Sequence, residues 1–563
     1  MATKKANATE LLLLYKQARD ERSTWESMWQ ELVDYYVPNK TSVVTKRQPG
    51  TKRTEKLFDA TALDAVQRLT ASMHGNLTPP PTKWFYLKMR LTELNEDHEV
   101  TEWLEECASR MRQAFNQSNL SSEINELYAD LIVFGTGFML EEQKKKTIAG
   151  KFGGLRFKTY ATGTYCIEED SDGLVDTVWR EFKFSARQAY QKWGEDAKKS
   201  LKIRQCLEPG GKPHTRFTFL HAIYPRESYS TKPDRSAMEF PIASCYVCLE
   251  DRKLIFEGGY EEFPGMAPRW SKSSDEIYGR GPGLTALPDV KTLNRAKELG
   301  LKAWAKEIDP PLLVKDAGVI GNVRTTPGGQ TVITEIGAVT PLDLRIRQDV
   351  TRYNIEMLVQ AIRAMLYADQ LILKESPQMT AEEVRARMEL MQRILGPTLG
   401  RLETELLNRM IERTFSIMLR EGALPEPPPQ VLEAYQNNEA DIDIEYEGPL
   451  SKAQRNIEAE AIERSIALRM EMLKAGLTDA FDTLNIRKAT RLIDKIRGVP
   501  DSVMNSEDEV EAMVQARIDA QDAMQKQQDA AVSAQTAKTT AEAAGNMSKL
   551  PPEMMNEESG AMQ

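Results

Sequence analysis

The stretch LPDVKTLNRAKELGLKAWAKEIDPPLLVKDAGVIGNVRTTPGGQTVITEIGAVTPLDLRIRQDV, from Leu287 to Val350, decides the architecture. Leu287, Val290, Leu293, Ala296, Leu301, Trp304 and Ile308 recur at helical spacing, with Lys291, Arg295, Lys302 and Lys306 largely elsewhere, so a long helix is predicted over Leu287 to Ile308. Asp309-Pro310-Pro311 ends it, because proline has no amide to donate and restricts the residue before it. Short β-rich runs follow around a hairpin signal at Pro327, Gly328 and Gly329. Ile355, Leu358, Ile362 and Leu366 then mark a second helix that starts near Asp349. A β knob between two long helices is the expected unit.

Working outward, Thr9 to Tyr36 carries Leu12, Tyr15, Trp25, Trp29, Leu32 and Tyr36 mostly on one face, a helix that stops before Pro38. Lys40 to Lys56 lacks periodicity and reads as a basic loop, with Lys46, Arg47, Lys52 and Arg53 as candidate contacts to nucleic acid or an acidic partner; a solvated loop is the bland alternative. Helical patterns cover about Thr61 to Gly75, Glu99 to Asn116 and Ser122 to Phe134. Leu155 to Tyr260 is rich in β-branched and aromatic residues and punctuated by turns, predicting an antiparallel sheet with one helix near Ala186 to Trp193. After the second long helix, Thr380 and Glu383 have the spacing of a capping box that restarts helix. Further helices are expected through Leu402 to Leu419, Lys452 to Lys474 and Asn485 to Ile496, with a strand at Asp441 to Tyr446. The fold class is therefore mainly α with β segments (α+β).

The 563 residues leave room for several domains. Basic and acidic residues number 74 and 84, and 12 acidic against 4 basic residues lie beyond Val499-Pro500, so the first 500 residues are nearly neutral. A tight clamp on duplex DNA is disfavoured by that balance, whereas transient passage of DNA is compatible with it. The last segment, Glu511 to Gly545, has 11 alanines and a poor apolar stripe, so its helix must pack against copies of itself or fray. No apolar run approaches membrane-spanning length, and five sparse cysteines argue for reduced thiols and a cytosolic setting.

No phosphate-cradling G-x-x-x-x-G-K-[ST], H-E-x-x-H or G-x-S-x-G pattern occurs, so no catalytic residue and no cofactor is assigned. Tyr278-Gly279-Arg280-Gly281-Pro282-Gly283 reads as a turn launching the long helix, since Pro282 removes an amide that a phosphate loop would use. Cys245 and Cys248 are weak metal candidates, together with Cys206 and His214; two strand cysteines is the favoured reading.

Taken in order, YGRGPGLTALPDVKTLN (Tyr278 to Asn294), EIDPPLLV (Glu307 to Val314), MTAEEVRARMELMQRILGP (Met379 to Pro397) and LETELLNRMIERTF (Leu402 to Phe415), with the GALPEPP turn at Gly422, resemble the head-to-tail connector, or portal, proteins of short-tailed bacteriophages. The resemblance implies a ring of identical subunits, usually a dodecamer, at one capsid vertex, through which double-stranded DNA is packaged and later ejected. It implies a wing-like region over residues 1–284 (helical 1–135, sheet-rich 155–260), a stem helix over 285–310, a β clip over 311–346 and a second stem helix over 347–368. A channel loop over 369–379 would be followed by wing and crown helices over 380–505 and an acidic crown or barrel segment over 506–563. Within that loop Leu371, Ile372, Leu373, Lys374 and Glu375 are the candidates to line the channel and contact DNA, the alternative being that they fill the groove between the flanking helices. The implied partners are further copies of the chain, the major capsid protein, a scaffolding protein, terminase, and tail adaptor and nozzle proteins, with no membrane. The implied setting is the portal vertex of the virion, reached from the host cytoplasm during assembly. A nucleic-acid processing enzyme and an internal helical scaffold protein are the alternatives.

Overall fold

The computed structural model describes residues 6–40, 43–44, 50–80, 82–146, 150, 152–230, 232, 235–316, 318–342, 348–368, 396, 398–437, 441–446, 449–474, 484–497, 499 and 507–547. Two compact units divide the chain: residues 1–94 with 103–458, and residues 95–102 with 459–563.

In the larger unit, helices α1 (Ala8–Tyr36), α2 (Thr61–Leu77), α3 (His98–Gln117, which begins in the smaller unit) and α4 (Leu120–Phe134) surround strands β1 (Phe85–Met89), β2 (Met139–Gln143) and β3 (Leu155–Thr159). Strands β4 (Tyr165–Glu169), β5 (Val175–Ser185), β6 (Arg216–Pro225), β7 (Ile242–Cys248) and β8 (Lys253–Tyr260) form an antiparallel meander in chain order, interrupted after β5 by α5 (Ala186–Trp193) and α6 (Leu201–Leu207). Alternation along each strand gives this sheet two apolar faces. Leu220, Ala222, Cys245 and Val247 meet Leu11, Tyr15 and Ala18 of α1, while Phe217, Phe219, Tyr246 and Cys248 meet Ala186, Ala189 and Trp193 of α5 and Ile203 of α6. α5 starts on a capping box in which Ser185 and Gln188 satisfy each other's amides.

The expected sheet region from Leu155 to Tyr260 divides between two sheets: β3 belongs to a three-stranded sheet with β2 and β9 (Gly265–Met266), and β4 to the meander. The turn at Gly163, with φ +92°, separates them. β3 is an edge strand whose free side is covered by α4: Asn119 Nδ2 donates to the Phe157 carbonyl at 2.8 Å, and Glu123 accepts from the Thr159 amide at 2.6 Å. β1 pairs antiparallel with β14 (Ile442–Tyr446), so the expected DIDIEY strand finds its partner some 350 residues upstream.

α7 (Pro282–Ile308) begins five residues before Leu287, with Pro282 at its first position, where a missing amide costs little, and Pro288 inside the helix, where the Leu284 carbonyl goes without its i→i−4 donor. Its launch point is glycine-rich because two chain segments cross there. Gly135 ends α4 with φ +82°, and its carbonyl accepts from the Trp270 amide at 2.9 Å; the Gly279 amide donates to Thr136 Oγ1 at 2.7 Å. A Cβ on Gly135 would overlap the backbone of Arg280 and Gly281. Gly135→Ala should therefore destabilise the larger unit by about 2–4 kcal/mol, the sum of a left-handed backbone penalty and overpacking, read as a fall in denaturation midpoint. A change below about 0.5 kcal/mol would mean that the crossing relaxes freely.

Strands β10 (Leu312–Val314), β11 (Val319–Ile320), β12 (Val332–Ile333) and β13 (Val339–Pro341) follow, then α8 (Gln348–Met365), which packs on α7. Later elements are a π-helical turn (Glu403–Asn408), α9 (Arg409–Arg420), which ends near Gly422 at φ +63°, and α10 (Pro429–Gln436). α11 (Pro449–Lys474) runs from the larger unit into the smaller, which also holds α12 (Ile486–Arg497) and α13 (Glu507–Met547). α13 extends the expected C-terminal helix at both ends; its Met513, Ile518, Met524 and Val532 are exposed, as its composition predicts.

Candidate functional site: the paired helices and the β insert

α7 has two halves of opposite character. Leu287, Val290 and Leu293 are buried, and Asn294 is a fixed anchor: its Oδ1 accepts from the amides of Phe58 and Asp59 at 2.8 and 3.0 Å, and its Nδ2 donates to the Val290 carbonyl at 2.8 Å. Lys297 pairs with the buried carboxylate of Asp59, whose pKa lies below the usual range; burial alone would raise it, but hydrogen bonds from Lys297 and Thr61 outweigh that cost. Lys291 reaches Glu31 at 3.1 Å. Beyond this anchor Leu299, Leu301, Trp304 and Ile308 are exposed, although the periodicity places the last three on the predicted apolar stripe.

The insert between α7 and α8 is a nested pair of ladders. Leu312–Val314 pairs with Val339–Pro341, and inside it Val319–Ile320 pairs with Val332–Ile333. The turn expected at Pro327, Gly328 and Gly329 lies at the exposed end of the inner ladder: Gly328 has φ +76°, and the Gly329 amide donates to the Thr326 carbonyl at 2.8 Å. Leu313, Val314, Ile320, Val332, Ile333 and Ile336 are exposed, more apolar surface than so small an insert usually leaves to water. α8 returns to the body through buried Ile362 and Leu366, with Tyr353 and Met357 exposed.

The proposed channel-loop residues Leu371, Ile372, Leu373, Lys374 and Glu375, and the capping pair Thr380 and Glu383, lie outside the described residues, as do Lys46 and Arg47 of the basic loop. Within that loop Arg53 donates to the Pro38 carbonyl at 3.4 Å and Lys52 is exposed. Its flanking lysines serve the fold: Lys40 pairs with buried Asp130 at 2.9 Å and Lys56 with buried Asp34 at 2.6 Å. Burial pushes the Asp130 carboxyl up to about 6, against the pull of Lys40.

Cys245 and Cys248 are corrected as a metal pair. Three residues apart on a strand, they point to opposite faces of the meander, Cys245 into the α1 core and Cys248 into the α5 core. Burial raises both thiols to about 11, the reverse of a thiolate ligand, and among the described residues no cluster suited to a metal ion occurs.

Two polar centres escape any reading of spacing. Arg269, 1% exposed, joins the loop before α7 to the π-helical turn: its amide and Nε donate to Glu405 Oε2 at 2.8 and 3.2 Å, its Nη2 to Glu405 Oε1 at 2.7 Å, and it also pairs with Glu169. The partners lie 136 and 100 positions away. Glu141 on β2 is fully buried, with Oε1 accepting from Thr414 Oγ1 at 2.7 Å and Oε2 unpartnered. Burial raises its pKa from 4.5 to about 7, despite the nearby Arg413 charge. Between those values the folded chain keeps a proton that the unfolded chain has released, so this group's contribution to stability falls as pH rises from about 4.5 to about 7. Glu141→Gln should consequently raise stability at pH 8 by about 2–3 kcal/mol and have little effect near pH 4.5, measured as urea midpoints at the two pH values. Equal effects at both would place the gain elsewhere.

Residues 8–504 match the family described as bacteriophage head to tail connecting protein, and the chain belongs to that family. A probable portal protein of Bordetella phage BPP-1 is 30% identical over 484 residues, covering 84% of each chain. The portal protein of Salmonella phage epsilon15 is 28% identical over 548 residues, covering 94% of this chain and 95% of that one. Among solved structures, a chain from the neck of an empty GTA particle covers 76% of this chain and 93% of its own at 10% identity and TM-score 0.33, a distant likeness. Membership makes this a structural protein of the bacteriophage head-to-tail junction. Among the described residues no helix is long and apolar enough to cross a membrane.

Proposed function

We propose that copies of this chain close into a portal ring at one capsid vertex, with α7 and α8 as stem, residues 311–346 as clip, 369–379 as channel loop, residues 1–284 as wing and the helices beyond 380 as wing and crown. The observation that carries it is the outer half of α7 together with the clip. A series of large apolar side chains, from Leu299 through Trp304 and Ile308 to Ile336, is exposed in the single chain, on the excursion that the sequence resemblance assigns to stem and clip. Double-stranded DNA passes through the ring without being held, which suits a body of 70 basic and 72 acidic residues before the tail. Lys374 repeated around the channel supplies weak, salt-sensitive contacts. The major capsid and scaffolding proteins meet the wing; terminase and then the tail adaptor and nozzle proteins meet the clip. A dodecamer is the expected count, in the virion and, during assembly, in the host cytoplasm.

Negative-stain imaging with mass measurement of the purified chain tests the reading: closed rings with a central hole are the expected result. Monomers at every concentration, filaments, or a nuclease or nucleotidase activity would overturn it in favour of the alternatives. Replacing Val319 to Gln330 by a short Gly/Ser linker should leave the meander folded, since no strand of that sheet lies in the clip, and weaken capture of terminase and tail adaptor by at least about tenfold in pull-down titrations. Unchanged capture of both would remove the docking role from the clip.

A further inference from the structure

Where side chains of β2, β3, β5, β8 and α5 meet, three cations stand near the carboxylate of Glu142, which forms an ion pair with none of them. Arg180 on β5 is half-buried, and among the described residues it is the one buried or half-buried arginine that makes no hydrogen bond and no ion pair. Others of similar burial reach acceptors: Arg22 pairs with Glu26, Arg226 with Glu257, Arg235 with Glu261 and Arg413 with Glu262. The Arg180 guanidinium instead lies 3.6 Å from the Tyr160 ring centroid and 4.7 Å from that of Phe182. These rings hold it in place and leave its five N–H donors unused.

Two more cations converge there. The Lys192 ammonium sits 4.4 Å over the Tyr246 ring and donates to its hydroxyl at 3.1 Å. Arg156, exposed on β3, stands opposite Glu142 in the β2–β3 register. Glu142 accepts from the Tyr260 hydroxyl at 3.4 Å and forms no ion pair with any of the three. Desolvation pulls the pKa of Lys192 down, and although Glu142 opposes this, the like charges of Arg180 and Arg156 add to it. His221, stacked on Tyr246 at 4.0 Å, is held neutral by burial and adds no charge.

We propose that Arg180, Arg156 and Lys192 form an anion site whose occupant is a Glu- or Asp-rich segment of a partner protein. A guanidinium fork held by aromatic rings is matched to a planar carboxylate, which it can bind through two parallel hydrogen bonds. A half-buried arginine is reached by a carboxylate on its own flexible stem, whereas duplex phosphates need a broad basic surface, which this nearly neutral body does not provide. The site does not depend on the ring proposed above.

Isothermal titration of the full chain with a synthetic peptide of about 12 alternating Glu and Ser residues, and in parallel with a duplex of about 20 base pairs, tests the assignment. The peptide should bind wild type and weaken by at least about tenfold in Arg180→Gln and about threefold in the exposed Arg156→Gln. The melting temperature of Arg180→Gln without peptide should equal or exceed that of wild type, because an unpaired half-buried charge has been removed. Four results overturn the proposal. These are no peptide binding to wild type, binding unchanged in both variants, duplex bound through Arg180 in place of peptide, and a lowered melting temperature of Arg180→Gln with binding intact in Arg156→Gln.

Discussion

Replacing Arg269 by methionine should lower the stability of the larger unit by about 3–5 kcal/mol, the effect expected when one member of a buried ion network is removed and its partners stay. Methionine fills most of the volume, so the loss is electrostatic. Glu405 would keep the amide of residue 269 and Arg401 at 3.8 Å but lose two guanidinium hydrogen bonds, and Glu169 would keep only Lys272 at 2.6 Å. The Gly173 carbonyl, 2.8 Å from Nη2, would lose that donor too. Removing the stranded charge as well, in Arg269→Met with Glu405→Met, should recover more than half of the loss, because apolar side chains of similar volume often replace a buried pair at little cost. Urea midpoints of wild type, single and double variants measure both steps. A single-variant loss below about 1 kcal/mol would mean that water reaches the network and screens it.

That network also marks the limit of what the sequence conveys. Periodicity located α1, α5, the β insert between two long helices and the Gly328 turn, because in each the pattern and its cause lie within a few residues of one another. It missed β1, whose partner β14 comes from a distant part of the chain, and β2, which pairs with distant β9 as well as with nearby β3; nor did it separate the sheet of β3 from that of β4. The π-helical turn had no local signal. Its cause is tertiary: Glu405 must meet Arg269 while Arg413 and Arg420, further along, meet Glu262. The unpartnered Arg180 was equally silent, since an arginine in a strand reveals nothing of its acceptors until neighbouring strands are in place. The two long helices and the β insert between them were legible as elements, but that their apolar side chains stay exposed could be read only from the folded chain.

The triple substitution Leu301→Asp, Trp304→Asp and Ile308→Asp should abolish ring formation while leaving the single chain folded. The three side chains are 51%, 53% and 85% exposed, against 6%, 1% and 1% for Leu287, Val290 and Leu293 on the same helix. The outer three therefore add little to the stability of one chain, and the proposed ring gives them their burial. Full burial of a large apolar side chain is worth about 1.5–3 kcal/mol, so three half-exposed ones contribute several kcal/mol per subunit contact, and placing carboxylates there adds desolvation to the loss. Assembly should then need protein concentrations at least about a hundredfold higher, seen by sedimentation as monomer where wild type forms rings. The melting temperature of the monomer should stay within a few degrees of wild type, as expected for surface changes. Leu293→Ala provides the contrast within the same helix: it should cost about 2–4 kcal/mol of monomer stability, because it empties a filled site beside the Asn294 anchor. Rings that persist in the triple variant would remove the outer half of α7 from the subunit contact, and a collapse of monomer stability would show that these side chains have a partner within their own chain.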